Sequence, residues 1–251
     1  MSDDRLVIGL HPVREVLRAG RALRHVLVAA GRSDSEVLDE ILTLARDARV
    51  PVERVDREVL DAQAEGLVHQ GVVAMAPAFP YADLAQVLER TDRDGAVPLL
   101  VVLDGITDPH NLGSIARSAE AVGAHALLVP SRRAAPVTAV AEKAAAGALA
   151  HLPVVRIGNL VRTLKDLADR PLWSLGLDGE GDLPLTDSPL LTEPLALVVG
   201  AEGDGMARLT REAVDQRVTL PMRGRVGSLN ASVAAAVALY GVLHAREHAV
   251  G

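Results

Sequence analysis

The chain has no cysteine. That excludes disulfides, thiolate metal sites and any mechanism that needs transient thiolate attack. Aromatic residues make up only 2% of the 251 positions, which leaves no stacking platform for single-stranded bases, so any RNA contact must come from cations and backbone. No apolar run approaches the ~20 residues that cross a bilayer. The start, MSDDRL, lacks the basic-then-apolar pattern of a secretory signal. The expected compartment is the cytoplasm, with no membrane partner. Positive charge is scarce too: 26 Lys and Arg against 33 Asp and Glu leave a net charge of −7, which argues against nonspecific nucleic-acid binding. Only local basic patches could serve RNA.

Hydrophobic residues are plentiful, at 49%, enough for the cores of one large or two modest domains. Residues 5–76 alternate between apolar runs and helical periodicity and read as a small α/β unit. Ser33, with Glu36 three residues on, has the form of a capping box opening a helix to Ala48. His11, Arg14, Arg18, Arg21, Arg24 and His25 form a basic cluster, read either as an RNA-contact patch or as a solvated helix face. From Pro77 to Ala96 the pattern loosens into a proline-bearing linker with a short helical piece around Leu84 to Leu88. The expected division is 1–77, a linker over 78–96, and a second domain over 97–251.

The second domain is organised around the stretch from Leu195 to Tyr240. A buried strand (Leu195 to Val199) leads into the glycine-rich turn Gly200 to Gly205. A second strand (Val218 to Pro221) leads into another glycine-bearing loop and a long small-residue helix. Apolar runs of this kind suit a parallel sheet covered on both faces, and ligands in such sheets sit beyond the carboxyl ends of the strands. The site is therefore expected between Gly200 and Asn230. Upstream, Asp108 and Pro109 set a turn, Asn111 or Ser114 can cap the following helix, and Gly123 ends it. Arg117 lies about two turns into that otherwise small and apolar helix. It could meet a substrate phosphate or a structural partner such as Asp104, Asp108 or Glu120. An alanine-rich helix is expected over Thr138 to Ala150. Trp173 is expected in the core, and Asp178 to Asp187 as solvated surface.

Several chemistries find no support. GAEGDG has its glycines at the wrong offsets for a dinucleotide fingerprint, and there is no P-loop or nucleophile elbow. His244 and His248 are four apart, but they stand near the chain end without further ligands, so no metal is expected. What remains is a site of backbone-rich loops with Asn111, Arg117, Glu202, Ser228 and Asn230. It offers one cation, one carboxylate and several neutral donors. Singly, each has a structural reading, Asn230 as helix cap above all.

Three stretches, LDGITDPHNLGSIARSAE, LALVVGAEGDGM and LPMRGRVGSLNASVAAAVALY, resemble in order and spacing the motifs of the TrmH branch of the SPOUT methyltransferases. IGLHPVREVL and HQGVVA near the amino terminus extend the likeness to the group that acts on guanosine in 23S ribosomal RNA, so it covers nearly the whole chain. The resemblance implies methyl transfer from S-adenosylmethionine to a ribose 2′-hydroxyl of RNA, with DNA inert. It implies an α/β fold whose SPOUT parallel sheet carries a deep trefoil knot, an amino-terminal L30e-like RNA-binding domain, and a homodimer. It places Gly200, Leu220 and Leu229 at the cofactor and Asn111, Arg117, Glu202, Ser228 and Asn230 among the catalytic and substrate residues. A transfer-RNA substrate and a noncatalytic RNA-binding or ribosome-assembly factor are the alternatives. Gly227 stands where relatives often carry a serine or an acid, a departure that bears on substrate ordering.

Overall fold

A computed structural model describes residues 4–225 and 227–249. The amino-terminal unit comprises β1 (Arg5–Ile8), α1 (Leu10–Arg18), β2 (His25–Ala29), α2 (Glu36–Asp47), β3 (Val52–Val55), α3 (Arg57–Ala64) and β4 (Val72–Ala76). Its sheet runs β1-β4-β2-β3, with only β2 and β3 parallel. The two-residue period of the strands divides its core. Val26, Val28, Val72 and Ala74 face α1 and α2, whereas Leu27, Ala29 and Val73 pack with Leu60 and Ala64 of α3. The cap of α2 is Ser35, whose hydroxyl accepts from the Leu38 amide at 3.3 Å, and not Ser33. Both serines precede the same apolar run, and the backbone turn selects between them.

The rest of the chain adds α4 (Leu84–Arg93), β5 (Leu99–Asp104), α5 (Pro109–Ala121), β6 (Ala126–Pro130), α6 (Ala139–Ala145), α7 (Ala148–His151), β7 (Val154–Ile157) and α8 (Leu160–Ala168). There follow β8 (Trp173–Leu177), β9 (Leu183–Pro184), β10 (Leu195–Gly200), α9 (Arg208–Ala213), β11 (Gln216–Thr219) and α10 (Ala231–Ala249). Seven strands in the order β7-β6-β5-β10-β8-β11-β9 form a sheet whose pairs are all parallel. Leu99, Val101, Leu195, Leu197 and Val199 face α5, α6, α7 and α10; Leu100, Val102, Ala196 and Val198 face α4 and α8. Both faces are covered, which is why β5 and β10 read as unbroken apolar runs.

Some local expectations give way. In the segment 78–96 the short helical piece expected around Leu84 to Leu88 runs on to Arg93 as α4, and its Val87 and Leu88 are buried in the core. The helix expected over Thr138 to Ala150 breaks in two, because Ala146 and Gly147 both take positive φ, 51° and 102°. Trp173 begins a strand and is 45% exposed, not buried. The basic cluster is largely engaged within the molecule. Arg14 and Arg18 contact Glu15 and Glu40, Arg24 contacts Asp4 at 2.6 Å, and Arg21 donates to the Ala150 carbonyl at 2.6 Å.

These contacts belong partly to a seam between the two sheets. His151 meets Glu15 at 3.0 Å, and Arg5 pairs with the buried Glu142 of α6. Burial, helped by the nearby Arg21 charge, pushes the Arg5 guanidinium down to about 10. Burial raises the Glu15 carboxyl, but hydrogen bonds from His151 and Arg14 and the charges of Arg18 and Arg14 outweigh it and hold it below its ordinary value. A Cβ on Gly147 would stand 2.4 Å from Glu15 Cγ, so the seam closes only because that position is glycine. The tightest helix contact is α5 on α6, where a Cβ on Gly113 would lie 2.2 Å from the Ala141 carbonyl oxygen. Backbone cannot give way as a flexible side chain can. Gly113→Ala is expected to lower unfolding free energy by about 2–3 kcal/mol in urea titration; an unchanged midpoint would mean that α5 and α6 can part.

Candidate active site

Because the sheet is parallel, the carboxyl ends of β5, β10, β8 and β11 lie on one edge, and Gly200 pairs in register with Asp104. The chain leaves β10 through a closed turn. Ala201 and Gly205 exchange two backbone hydrogen bonds of 3.0 Å, and Gly203 and Gly205 take φ of 77° and 66°. A Cβ on Gly200 would come within 2.3 Å of the Gly205 carbonyl carbon and the Met206 nitrogen, so this position excludes any side chain. Asp104 fastens the turn from the neighbouring strand, its Oδ2 accepting from the Ala207 amide at 2.7 Å.

The turn presents Glu202. Its Oε1 accepts from Asn111 Nδ2 at 2.8 Å, from Asn230 Nδ2, and from the Ala231 amide at 3.4 Å. Asn230 Nδ2 also reaches Asn111 Oδ1 at 3.0 Å. Three donors from two segments thus converge on one carboxylate oxygen, while Oε2 takes no hydrogen bond among the described residues. The Ala231 amide opens α10, so the helix dipole also favours negative charge there.

Asn111 can join because it is not the cap of α5. Asp108 is, accepting from the His110 amide at 2.9 Å, with Pro109 at the first helical position. Asn111 therefore turns inward and is 9% exposed. Asn230 does both jobs. Its Oδ1 caps α10 by accepting from the Ser232 and Val233 amides at 2.9 and 3.3 Å, which fixes Nδ2 toward Glu202.

Beside this cluster lies a cavity of about 260 Å³, whose walls include Gly200, Glu202, Leu220, Ser228 and Leu229. The structure thus brings together Asn111, Glu202 and Asn230 by direct contact and sets Gly200, Leu220, Ser228 and Leu229 around the adjoining space. It does not bring Arg117 there. Arg117 is exposed on α5, lines no part of the cavity, and makes no hydrogen bond or ion pair among the described residues, so the structural partners considered for it are not its partners.

One residue escaped sequence reasoning. Asp178, expected as solvated, has a side chain only 5% exposed, contacts Arg211 at 2.9 Å and Arg217 at 3.9 Å, and lines the cavity. Its position one residue past a parallel strand was the available signal. His244 and His248 stack with ring centroids 4.0 Å apart, and no group of three potential metal ligands occurs among the described residues.

A parallel α/β layer with a glycine-lined cavity and an acid–amide cluster at its carboxyl edge defines an α/β protein that binds a small molecule at the ends of its strands. The comparisons narrow this. Residues 98–240 match the SpoU rRNA Methylase family and residues 6–82 match the RNA 2′-O ribose methyltransferase substrate binding family; the chain belongs to the SpoU rRNA methylase family. It is 42% identical to the 23S rRNA (guanosine-2′-O-)-methyltransferase RlmB of Yersinia pestis, covering 96% of this chain and 97% of that protein. It is 43% identical to RlmB of Pseudomonas putida, covering 98% and 99%. The crystal structure of the SpoU methyltransferase AviRb from Streptomyces viridochromogenes in complex with AdoMet superimposes with a TM-score of 0.82 at 30% identity, covering 97% and 91%.

Asn230→Asp separates the two duties of that residue, since it keeps the capping oxygen but sets a second carboxylate against Glu202. The variant is expected to lose about 1–2 kcal/mol of stability at pH 7.5. Its deficit relative to wild type should shrink at pH 5, since uptake of a proton relieves the repulsion between two like charges. An equal deficit at both pH values in denaturant titrations would show that the Glu202 contact carries nothing.

Proposed function

We propose that the chain transfers the methyl group of S-adenosylmethionine to the ribose 2′-hydroxyl of a guanosine in 23S ribosomal RNA, working as a homodimer in the cytoplasm. The observation that carries this is the convergence of Asn111, Asn230 and the Ala231 amide on Glu202 Oε1 at the mouth of a glycine-lined cavity. RlmB relatives similar over almost the whole chain and an AdoMet-bound structural neighbour support the reaction and its cofactor. The division into an RNA-binding domain over 1–77, a connecting segment over 78–96 and a catalytic domain over 97–251 accords with the two family matches. A trefoil knot at the carboxyl terminus accords with the strand order β5-β10-β8-β11.

The cavity suits the cofactor chemically. Its walls are largely backbone and small apolar side chains, matched to an adenosine and an aliphatic chain, with Gly200, Leu220 and Leu229 holding it. When bound, S-adenosylmethionine supplies an electrophilic methyl carbon. The protein's part is to place the ribose oxygen in line with that carbon and to manage its proton. Oε1 of Glu202 is held by three donors, which aims the carboxylate. Oε2 accepts the hydroxyl hydrogen bond and takes the proton as the oxygen becomes an ether. Ser228, on the cavity wall, orients the ribose. The guanidinium of Arg117 carries five donors and no acceptor, so its role is to grip the adjacent phosphate and stabilise charge on the oxygen, not to act as a base.

Arg117 acts across the dimer. It lies on α5, which packs against α10, and α10 exposes Val233, Val237 and Tyr240 at helical spacing, the form of an unpartnered apolar stripe.

Ribose-methylation mapping of a 23S transcript treated with protein and S-adenosylmethionine is expected to show one modified guanosine, with the DNA copy inert. Glu202→Gln should lower turnover about 10²-fold or more, with cofactor affinity by calorimetry little changed. Cofactor binding without methylation of any ribosomal RNA would favour an RNA-binding assembly factor, and methylation of transfer RNA alone would reassign the substrate. Arg117→Ala and Glu202→Gln chains, each impaired alone, should regain activity when co-assembled. Failure to complement would confine Arg117 to its own subunit's chemistry.

A further inference from the structure

Arg132 and Arg133 sit in the loop that leaves β6. Both are exposed, and neither makes a hydrogen bond or ion pair among the described residues. In a chain of net charge −7, the amino-terminal arginines Arg5, Arg14, Arg18, Arg21 and Arg24 are engaged internally, whereas this adjacent pair, like Arg117, has no internal partner among the described residues. Their place is fixed at both ends. The Ser131 amide and hydroxyl both bind the Ile157 carbonyl, at 2.8 and 3.0 Å, and the Ala135 amide binds the Ile106 carbonyl at 2.8 Å. Arg133 takes a φ of 56°, a conformation L residues rarely adopt, which the two anchors hold.

The anchor at Ile106 belongs to the loop that carries Asp108 and leads to Asn111. Strands β6, β5 and β10 are adjacent and parallel, and the pairing Val102↔Leu128 leaves β5 and β6 ending side by side. The arginine loop thus lies two strands from Gly200, roughly 10 Å across the carboxyl edge at ordinary strand spacing. A nucleic-acid strand whose target ribose sits at Glu202 must pass along this edge or leave the protein.

We propose that Arg132 and Arg133 bind backbone phosphates of the RNA segment flanking the target nucleotide, on the β6 side of the cavity. The pair reads no base. It fixes the path of the strand, as phosphate contacts do. This rests on the reading of the chain as an RNA ribose methyltransferase.

The test is binding of a 23S transcript across a salt series by wild type, an Arg132→Ala/Arg133→Ala variant and an Arg132→Lys/Arg133→Lys variant. Loss of two phosphate contacts should flatten the slope of log K against log salt by about 1.4 to 1.8. The lysine variant should restore most of it, because the slope counts charge and not guanidinium geometry. Thermal midpoint and S-adenosylmethionine affinity should match wild type in both variants. An alanine variant with wild-type affinity and slope overturns the assignment, as does a lysine variant that behaves like alanine. Wild-type chain that neither binds nor methylates the transcript would instead defeat the reading beneath it.

Discussion

One carboxylate oxygen holds the functional edge of this molecule together. Glu202 Oε1 receives donors from α5, from the residue before α10 and from the first amide of α10, and so joins its own turn to two segments that lie 91 and 28 positions away in the sequence. Hydrogen bonds to a charged group contribute about 1.5–3 kcal/mol each when well made. Removing the carboxylate would strand the Asn111 Nδ2 donor and a helix amide, and leave Asn230 Nδ2 only its contact with Asn111 Oδ1. The cluster exists only because other residues release its members. Asp108 caps α5, so Asn111 need not, and the rigid Gly200 to Gly205 turn leaves Glu202 no alternative direction. The parallel sheet sets the meeting place, since it brings every strand's exit loop to the same edge.

Strands covered on both faces were legible because their signal is local: five or six apolar residues bounded by glycine need no knowledge of neighbours. The expected site loops were legible for the same reason, as strand ends. What escaped depended on partners distant in sequence. Asp178 reads as one acid in an acidic loop until Arg211 and Arg217 arrive from α9 and β11. The break between α6 and α7 is invisible in an alanine-rich run, yet Gly147 must admit Glu15 from the other unit. The segment before β5 has linker composition but supplies Val87 and Leu88 to the core. Capping shows the limit most clearly, since Ser33 and Ser35, or Asp108 and Asn111, are chemically able to do the same work and only backbone geometry chooses. For Arg117, the helix was legible and the side chain's destination was not, because no partner for it occurs among the described residues.

The distribution of cations follows a division of labour. At the seam, arginines join one unit to the other or brace α1, and burial even lowers the affinity of Arg5 and Arg21 for their protons. Charges tied to carboxylates in this way cannot neutralise phosphates without first losing a partner. A chain of net charge −7 therefore attracts a polyanion through the cations left unmatched, and RNA affinity becomes a local property of their positions.

Helix α10 connects these themes. Its first residues bind Glu202, and its last turn anchors Arg246, whose guanidinium donates to the carbonyls of Leu191, Glu193, Val97 and Pro98. Between those fixed ends, one side is buried through Ala231, Ala235, Ala238, Leu239 and Val242, and the side bearing Val233, Val237 and Tyr240 is exposed. Gly241 permits the close approach of Leu185, since a Cβ there would meet its side chain at 2.9 Å. A helix clamped at both termini moves as a unit. Asn230, which caps its amino end and donates to Glu202, ties the helix directly to the carboxylate at the centre of the site.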